Sequence, residues 1–119
     1  MNFEFVSVSF RIQKINSLIR EQIGEIITRE LDIKLGVFLT IAKVDTTRDL
    51  RYTHIFVSVF PEKEGNYAMV ALENEKGNIQ RILNKRLNMK ILPKIIFRLD
   101  KTEAEADEIE KILREIKNQ

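Results

Sequence analysis

Three observations predict an α+β fold. The hydrophobic period switches from helical to alternating twice along the chain. A turn-rich segment separates the first two alternating runs, and a long helical stretch separates the second from the third. The predicted order is helix, strand, strand, a helix pair divided by a kink, strand, and a C-terminal helix. A hairpin makes the first two strands antiparallel. A right-handed crossover makes the second and third parallel, so the three-stranded sheet is mixed, with helices packed on it.

The first helix is read from Phe10 to Leu31. Ile12, Ile15, Ile19, Ile23, Ile26 and Ile27 form one apolar stripe, with Arg11, Lys14, Arg20, Glu21, Glu25 and Arg29 mostly off it. Asp32 to Gly36 closes it, Gly36 being suited to a left-handed turn. Residues 1–9 form an N-terminal extension (an edge strand, a disordered stretch or a misassigned start codon), and a single domain spans 10–117.

Val37, Leu39 and Ile41 alternate up to Val44 as the first strand, and Ile55, Val57 and Val59 up to Phe60 as the second. Asp45 to Leu50 supplies the turn between them. A helix then runs from about Asn66 to Leu87. Tyr67, Ala68, Ala71 and Leu72 stripe it before Gly77, and Ile79, Ile82, Leu83 and Leu87 after it. Glycine inside a helix costs about 0.5–1 kcal/mol against alanine, which predicts a bend or a close approach to the backbone. Pro93 precedes a third strand, Ile95 to Leu99. Thr102 to Glu105 reads as a capping box for a last amphipathic helix carrying Ala106, Ile109, Ile112, Leu113 and Ile116.

With 119 residues the chain is one domain, and its net charge of +2 says little about partners. The charge distribution says more. Lys76, Arg81, Lys85, Arg86, Lys90, Lys94, Arg98 and Lys101 face the single acid Asp100, whereas the segment after Lys101 is mostly acidic. The chain has no cysteine, which excludes disulfides, thiolate catalysis and zinc sites of the cysteine type and fits a cytoplasmic protein. No apolar run is long enough to span a membrane, and the N-terminus lacks the features of a signal peptide. No phosphate-binding loop, dinucleotide fingerprint or metal-ligand spacing occurs. His54 is the only histidine; its nearest acids in sequence, Asp45 and Asp49, are read as turn residues, so it is a structural residue. The reading is a non-enzyme without cofactor or small-molecule substrate.

At 100° per residue, Asn78, Arg81, Lys85 and Asn88 fall within about 80° of one another, opposite Ile79, Leu83 and Leu87. This face combines cations and amides with no acid, so it can meet phosphates and hydrogen-bond exposed bases. A kink at Gly77 would free backbone N–H groups at the start of the second half-helix, where the dipole favours an anion. Lys76 and Lys90 extend the patch, Arg11 and Arg20 widen the footprint, and Arg86 lies nearer the apolar side. The competing reading is a solvated basic face, with Gly77 serving only close helix–sheet packing. A second surface is offered by Phe38, His54 and Phe56, on the sheet face opposite Ile55 and Val57. Half-buried packing is the expected role there, and base stacking the lesser one.

The element order is that of a type II KH domain, an RNA-binding fold that usually clamps nucleic acid with a G-x-x-G loop. Here Gly77-Asn78-Ile79-Gln80 lacks the second glycine. The chain resembles the ribosome-binding factor A family, in which a kink of form Ala-x-Gly, followed by an apolar residue and Arg, replaces that loop. The matching stretch is Glu75-Lys76-Gly77-Asn78-Ile79-Gln80-Arg81. Arg11-Ile12, Leu39-Thr40-Ile41 with Val44, Asp49-Leu50, and Pro93 with Phe97 and Asp100 support it. Glu75 departs from the family's Ala, and the first nine residues match nothing. The resemblance implies a cytoplasmic maturation factor that binds the immature small (30S) ribosomal subunit and 16S ribosomal RNA, with a role in cold adaptation, expected to act as a monomer. The rivals are a stand-alone KH module for single-stranded RNA and a protein–protein interaction domain docking through its last helix or a strand edge.

Overall fold

The computed structural model describes residues 3–101 and 112–117, with side chains from residue 10 onward. Its elements are α1 (Phe3–Glu30), β1 (Phe38–Thr46), β2 (Tyr52–Phe60), a short 3-10 turn (Glu62–Glu64), α2 (Gly65–Arg86) and β3 (Lys94–Leu99). The sheet order is β1-β2-β3, with β1 antiparallel and β3 parallel to β2. This is the mixed sheet expected from the hairpin and the crossover. Residues 112–117 are helical, whereas the capping box Thr102 to Glu105 lies outside the described residues.

The isoleucine stripe drives α1 onto the sheet. Ile19, Ile23 and Ile26 are fully buried and meet Val44, Ile55, Val57, Ile95 and Phe97. From α2 come Leu72, Ile79 and Leu83, also fully buried. Both helices cover one side of the sheet, and burial alternates along β2 as Thr53, Ile55 and Val57 turn inward. Within this apolar layer Thr46 and Thr53 are cross-strand partners whose hydroxyls share a 2.9 Å hydrogen bond. Thr53→Val leaves the Thr46 hydroxyl unpaired and should cost about 1–3 kcal/mol, whereas replacing both by valine should be nearly neutral. Urea denaturation of the two single variants and the double variant checks this.

The hairpin tip is closed by side chains. Thr47 Oγ1 donates to Asp49 Oδ1 (2.6 Å), which also accepts from the Arg51 backbone N–H at 3.1 Å. These two bonds, the Thr47 one foremost, hold the Asp49 carboxyl below its ordinary value. Gly36 takes φ +89° in the connection after α1, the left-handed turn expected of it.

Three expectations are corrected. The first is the strand alternative for residues 1–9, because the backbone of residues 3–9 continues α1. The second is the division of α2 at Gly77, since one helix runs from Gly65 to Arg86. The physical reason lies in the stripe: Ala68, Leu72, Ile79 and Leu83 fall within about 60° at 100° per residue, so the apolar phase is not reset at Gly77. The third is Asp45, which sits in β1 opposite His54, not in the turn.

Candidate nucleic-acid interface

The packing of α2 divides its surface into sides. One side meets α1, which runs antiparallel to it. Arg86 Nη1 donates to Glu25 Oε2 at 2.9 Å and Gln22 Oε1 at 3.1 Å. Lys34, just past α1, pairs with Glu64 at 2.9 Å, and its backbone N–H donates to the Tyr67 hydroxyl at 3.0 Å. The other side meets β3 through Gln80. Its Nε2 donates to the Pro93 carbonyl at 3.1 Å, and its Oε1 accepts from the Ile95 N–H at 2.8 Å. Arg86 is thus occupied by an interhelical tie, in keeping with its place near the apolar side.

Between these sides an outward face carries Asn74, Gly77, Asn78, Arg81 and Lys85. Arg81 and Lys85 are exposed and Asn78 is half-buried. Arg81 Nη2 donates to Asn78 Oδ1 at 2.7 Å, and Asn78 Nδ2 donates to Glu30 Oε2 at 3.1 Å and Glu75 Oε2 at 3.5 Å. The relay from Glu30 through Asn78 holds the Arg81 guanidinium back along the helix towards Asn78. It also corrects the expectation of an acid-free face, because the end of α1 delivers Glu30 beside Asn78. Asn74, one turn before Asn78, shares this face and was not singled out from the sequence, although the same 100° count places it there. Glu30 had no comparable signal, since its approach depends on how α1 and α2 pair.

Gly77 is exposed, and a Cβ built on it would meet nothing within 4 Å. Close helix–sheet packing therefore does not require this glycine. Nor are N–H groups released there, because an uninterrupted helix keeps its interior donors in the i to i−4 ladder. What Gly77 supplies is a stretch of helix with no side chain, bordered by Arg81 and Asn74. What Gly77 leaves open is the helix surface, not a dipole end.

The other expected residues disperse. Lys76 is half-buried and lies about 140° around the helix from Arg81, on the β3 side, so it does not extend the patch. Arg20 donates through Nη2 to the Ile41 carbonyl at 3.0 Å, on the β1 side of α1. Arg11 is exposed, about 21 Å along α1 from the level of Glu25 and Arg86. Lys90 is exposed in the connection between α2 and β3. Asn88 lies past Leu87, the C-cap, and so outside the helix on which it was counted. Among the described residues no group of three or more His, Cys, Asp or Glu could hold a metal ion, and no helix is long and apolar enough to cross a membrane.

The family model described as Ribosome-binding factor A matches residues 11–113. A Dictyoglomus thermophilum protein of that name is 40% identical over 108 residues, covering 89% of this chain and 90% of the relative. One from Thermomicrobium roseum is 32% identical over 113 residues, covering 93% and 87%. Among solved structures, the crystal structure of ribosome-binding factor A from Thermus thermophilus aligns with TM-score 0.64 and 25% identity, covering 74% of this chain and 93% of that one. A homology model of the Thermus thermophilus factor, fitted into the cryo-EM map of a complex with 30S, aligns with TM-score 0.60 and 26% identity, covering 72% and 91%.

Proposed function

The chain belongs to the ribosome-binding factor A family, and from that premise we propose that it binds the immature small (30S) ribosomal subunit, contacts 16S ribosomal RNA, and leaves when the particle is complete. The observation that carries this reading is the outward face of α2. Arg81 and Lys85 stand exposed on one side of the helix, with Asn78 aligning Arg81 and Gly77 leaving bare backbone one turn before Arg81. Two cations about one turn apart can straddle phosphates of a single strand. The exposed amide of Asn74 adds hydrogen bonds, and the missing Cβ at Gly77 lets a sugar–phosphate backbone come close to the helix. Lys90 adds a further cation past the helix end. The protein acts in the cytoplasm as a monomer, by binding and not by catalysis.

Co-sedimentation with free small subunits and with complete ribosomes, across a salt series, tests the proposal. Retention on free subunits, exclusion from complete ribosomes and loss with rising salt are expected, because each neutralised phosphate releases condensed counterions. Absence from free subunits at low salt would overturn the reading.

Gly77→Ala separates stability from binding. Alanine removes the helix penalty and meets open space, so the melting temperature should rise by a few degrees, for a gain of about 0.5–1 kcal/mol. Retention on subunits should fall in the same variant, because the new methyl stands where the RNA backbone approaches. Thermal melts and sedimentation read the two effects separately.

A further inference from the structure

The side of the sheet away from both helices is the largest surface the α2 reading leaves unused. Its strands turn Phe38, Thr40, Lys43 and Asp45 outward from β1, Tyr52, His54, Phe56, Ser58 and Phe60 from β2, and Lys94, Ile96 and Arg98 from β3. Among the described residues no helix covers it. Phe38 and Phe60 are cross-strand partners, 64% and 68% exposed, and Tyr52 is 42% exposed at the opposite end of β2. Rings this open leave much of their apolar surface in water, and several on one face mark a contact surface.

The charges decide what kind of contact. Phe56 lies in register between Lys43 on β1 and Arg98 on β3. The Lys43 ammonium stands 5.8 Å from the centre of its ring. Arg98 Nε donates to His54 Nδ1 at 2.9 Å, which holds the guanidinium beside the imidazole. Lys94 pairs in register with Tyr52. Lys43, Lys94 and Arg98 thus outnumber Asp45, and each neighbours an aromatic ring. A protein partner would favour an apolar centre with a charged rim, whereas here the cations sit among the rings. Alternating rings and cations suit a chain that alternates flat bases with phosphates. Residues of β2 on this face recur about every 6.6 Å, so successive bases could follow His54 and Phe56 along the strand.

We propose that this open sheet face binds unpaired RNA nucleotides, with Phe38, Phe60, Phe56 and Tyr52 as stacking positions and Lys43, Lys94 and Arg98 meeting the phosphates. The half-burial expected for the whole group from the sequence holds for His54 and Phe56, but Phe38 stands open. The face lies across the sheet from α2, so the protein would grip RNA on two opposite sides. This extends the reading of an RNA-bound factor, but its probe contains no ribosome, so the two can fail separately.

The experiment is fluorescence anisotropy of a fluorescein-labelled uridine decamer with the full chain, against an RNA duplex of the same length. The decamer should bind more tightly than the duplex. Phe38→Ser with Phe60→Ser should weaken it about ten-fold or more, as loss of stacking does elsewhere. Lys43→Gln with Arg98→Gln should flatten its salt dependence. Phenyl ring resonances of Phe38 and Phe60 in the unaltered chain should shift on titration with the decamer, which tests the face without any substitution. The proposal is overturned if the unaltered chain does not bind the decamer at low salt. It is also overturned if the Phe38→Ser, Phe60→Ser variant keeps full affinity, or if ultracentrifugation shows those rings closing a dimer.

Discussion

Reversing Arg81 and Lys85 to glutamate should lower affinity for the small subunit by about a hundred-fold or more at physiological salt, since two phosphate contacts become two repulsions. The dependence of log affinity on log salt should also become shallower, by about 1.4–1.8 units for two contacts. The second reading is the sharper one. A variant that lost affinity through a fold defect would change its melt, and one that lost a non-electrostatic contact would keep its slope. Both side chains are exposed and neither contributes to the core, so the variant should unfold much as the parent does. Lys85 sits in the last turn of α2, where a cation also favours the helix dipole by about 0.3–1 kcal/mol. Lys85→Gln therefore serves as the control for that small structural share. Unchanged subunit affinity in the double reversal would remove α2 from the interface.

The other large effect lies in the core. Leu83→Ala should destabilise the domain by about 2–5 kcal/mol, the range for emptying a fully buried leucine site. Against a total of about 5–15 kcal/mol for a domain of this kind, that is a substantial fraction, and the melting temperature should fall by about 10 °C or more. Urea titration followed by circular dichroism measures it. Leu83 shares α2 with Arg81 and Lys85 but points the opposite way. At temperatures where the variant remains folded, subunit binding should be largely retained. The pair of experiments therefore separates what builds the helix from what the helix presents.

Much of this architecture was legible because burial is periodic. The isoleucines of α1 recur at helical spacing over a long stretch, and the structure buries Ile19, Ile23, Ile26 and Ile27 as that spacing requires. Alternation along β2 separated Ile55 and Val57 from His54 and Phe56 correctly. The crossover rule turned the order of elements into a parallel pairing of β2 and β3. The errors share a cause as well. Dividing α2 into two helices at Gly77 weighed one residue's propensity above the phase of Ala68, Leu72, Ile79 and Leu83, whose burial holds the helix together across it. Lys76 was assigned to the basic patch because it is near in sequence, although its angle on the helix carries it towards β3. The approach of Glu30 to Asn78 could not be read at all, because it depends on the pairing of two helices whose contact residues lie 48 positions apart. The basic face was legible as composition; its shape, a relay ending in Arg81, was a tertiary product.

The parallel pairing of β2 with β3 also sets an order of events in folding. Thr46 and Thr53 are separated by seven positions, whereas Tyr52 and Lys94, the first partners of the parallel ladder, are separated by 42 (94 minus 52). Loop-closure entropy makes the longer contact costlier by about 1.6 kcal/mol before any strand bonds form. The hairpin can therefore assemble locally, while β3 waits until α2 has crossed the sheet and shortened the effective path. Ile95 and Phe97 are the residues that β3 adds to the hydrophobic layer. Contacts of β3 that form after the barrier is crossed govern how long a folded molecule persists more than how quickly it forms. The strand that completes the sheet is in this sense the latch of the domain.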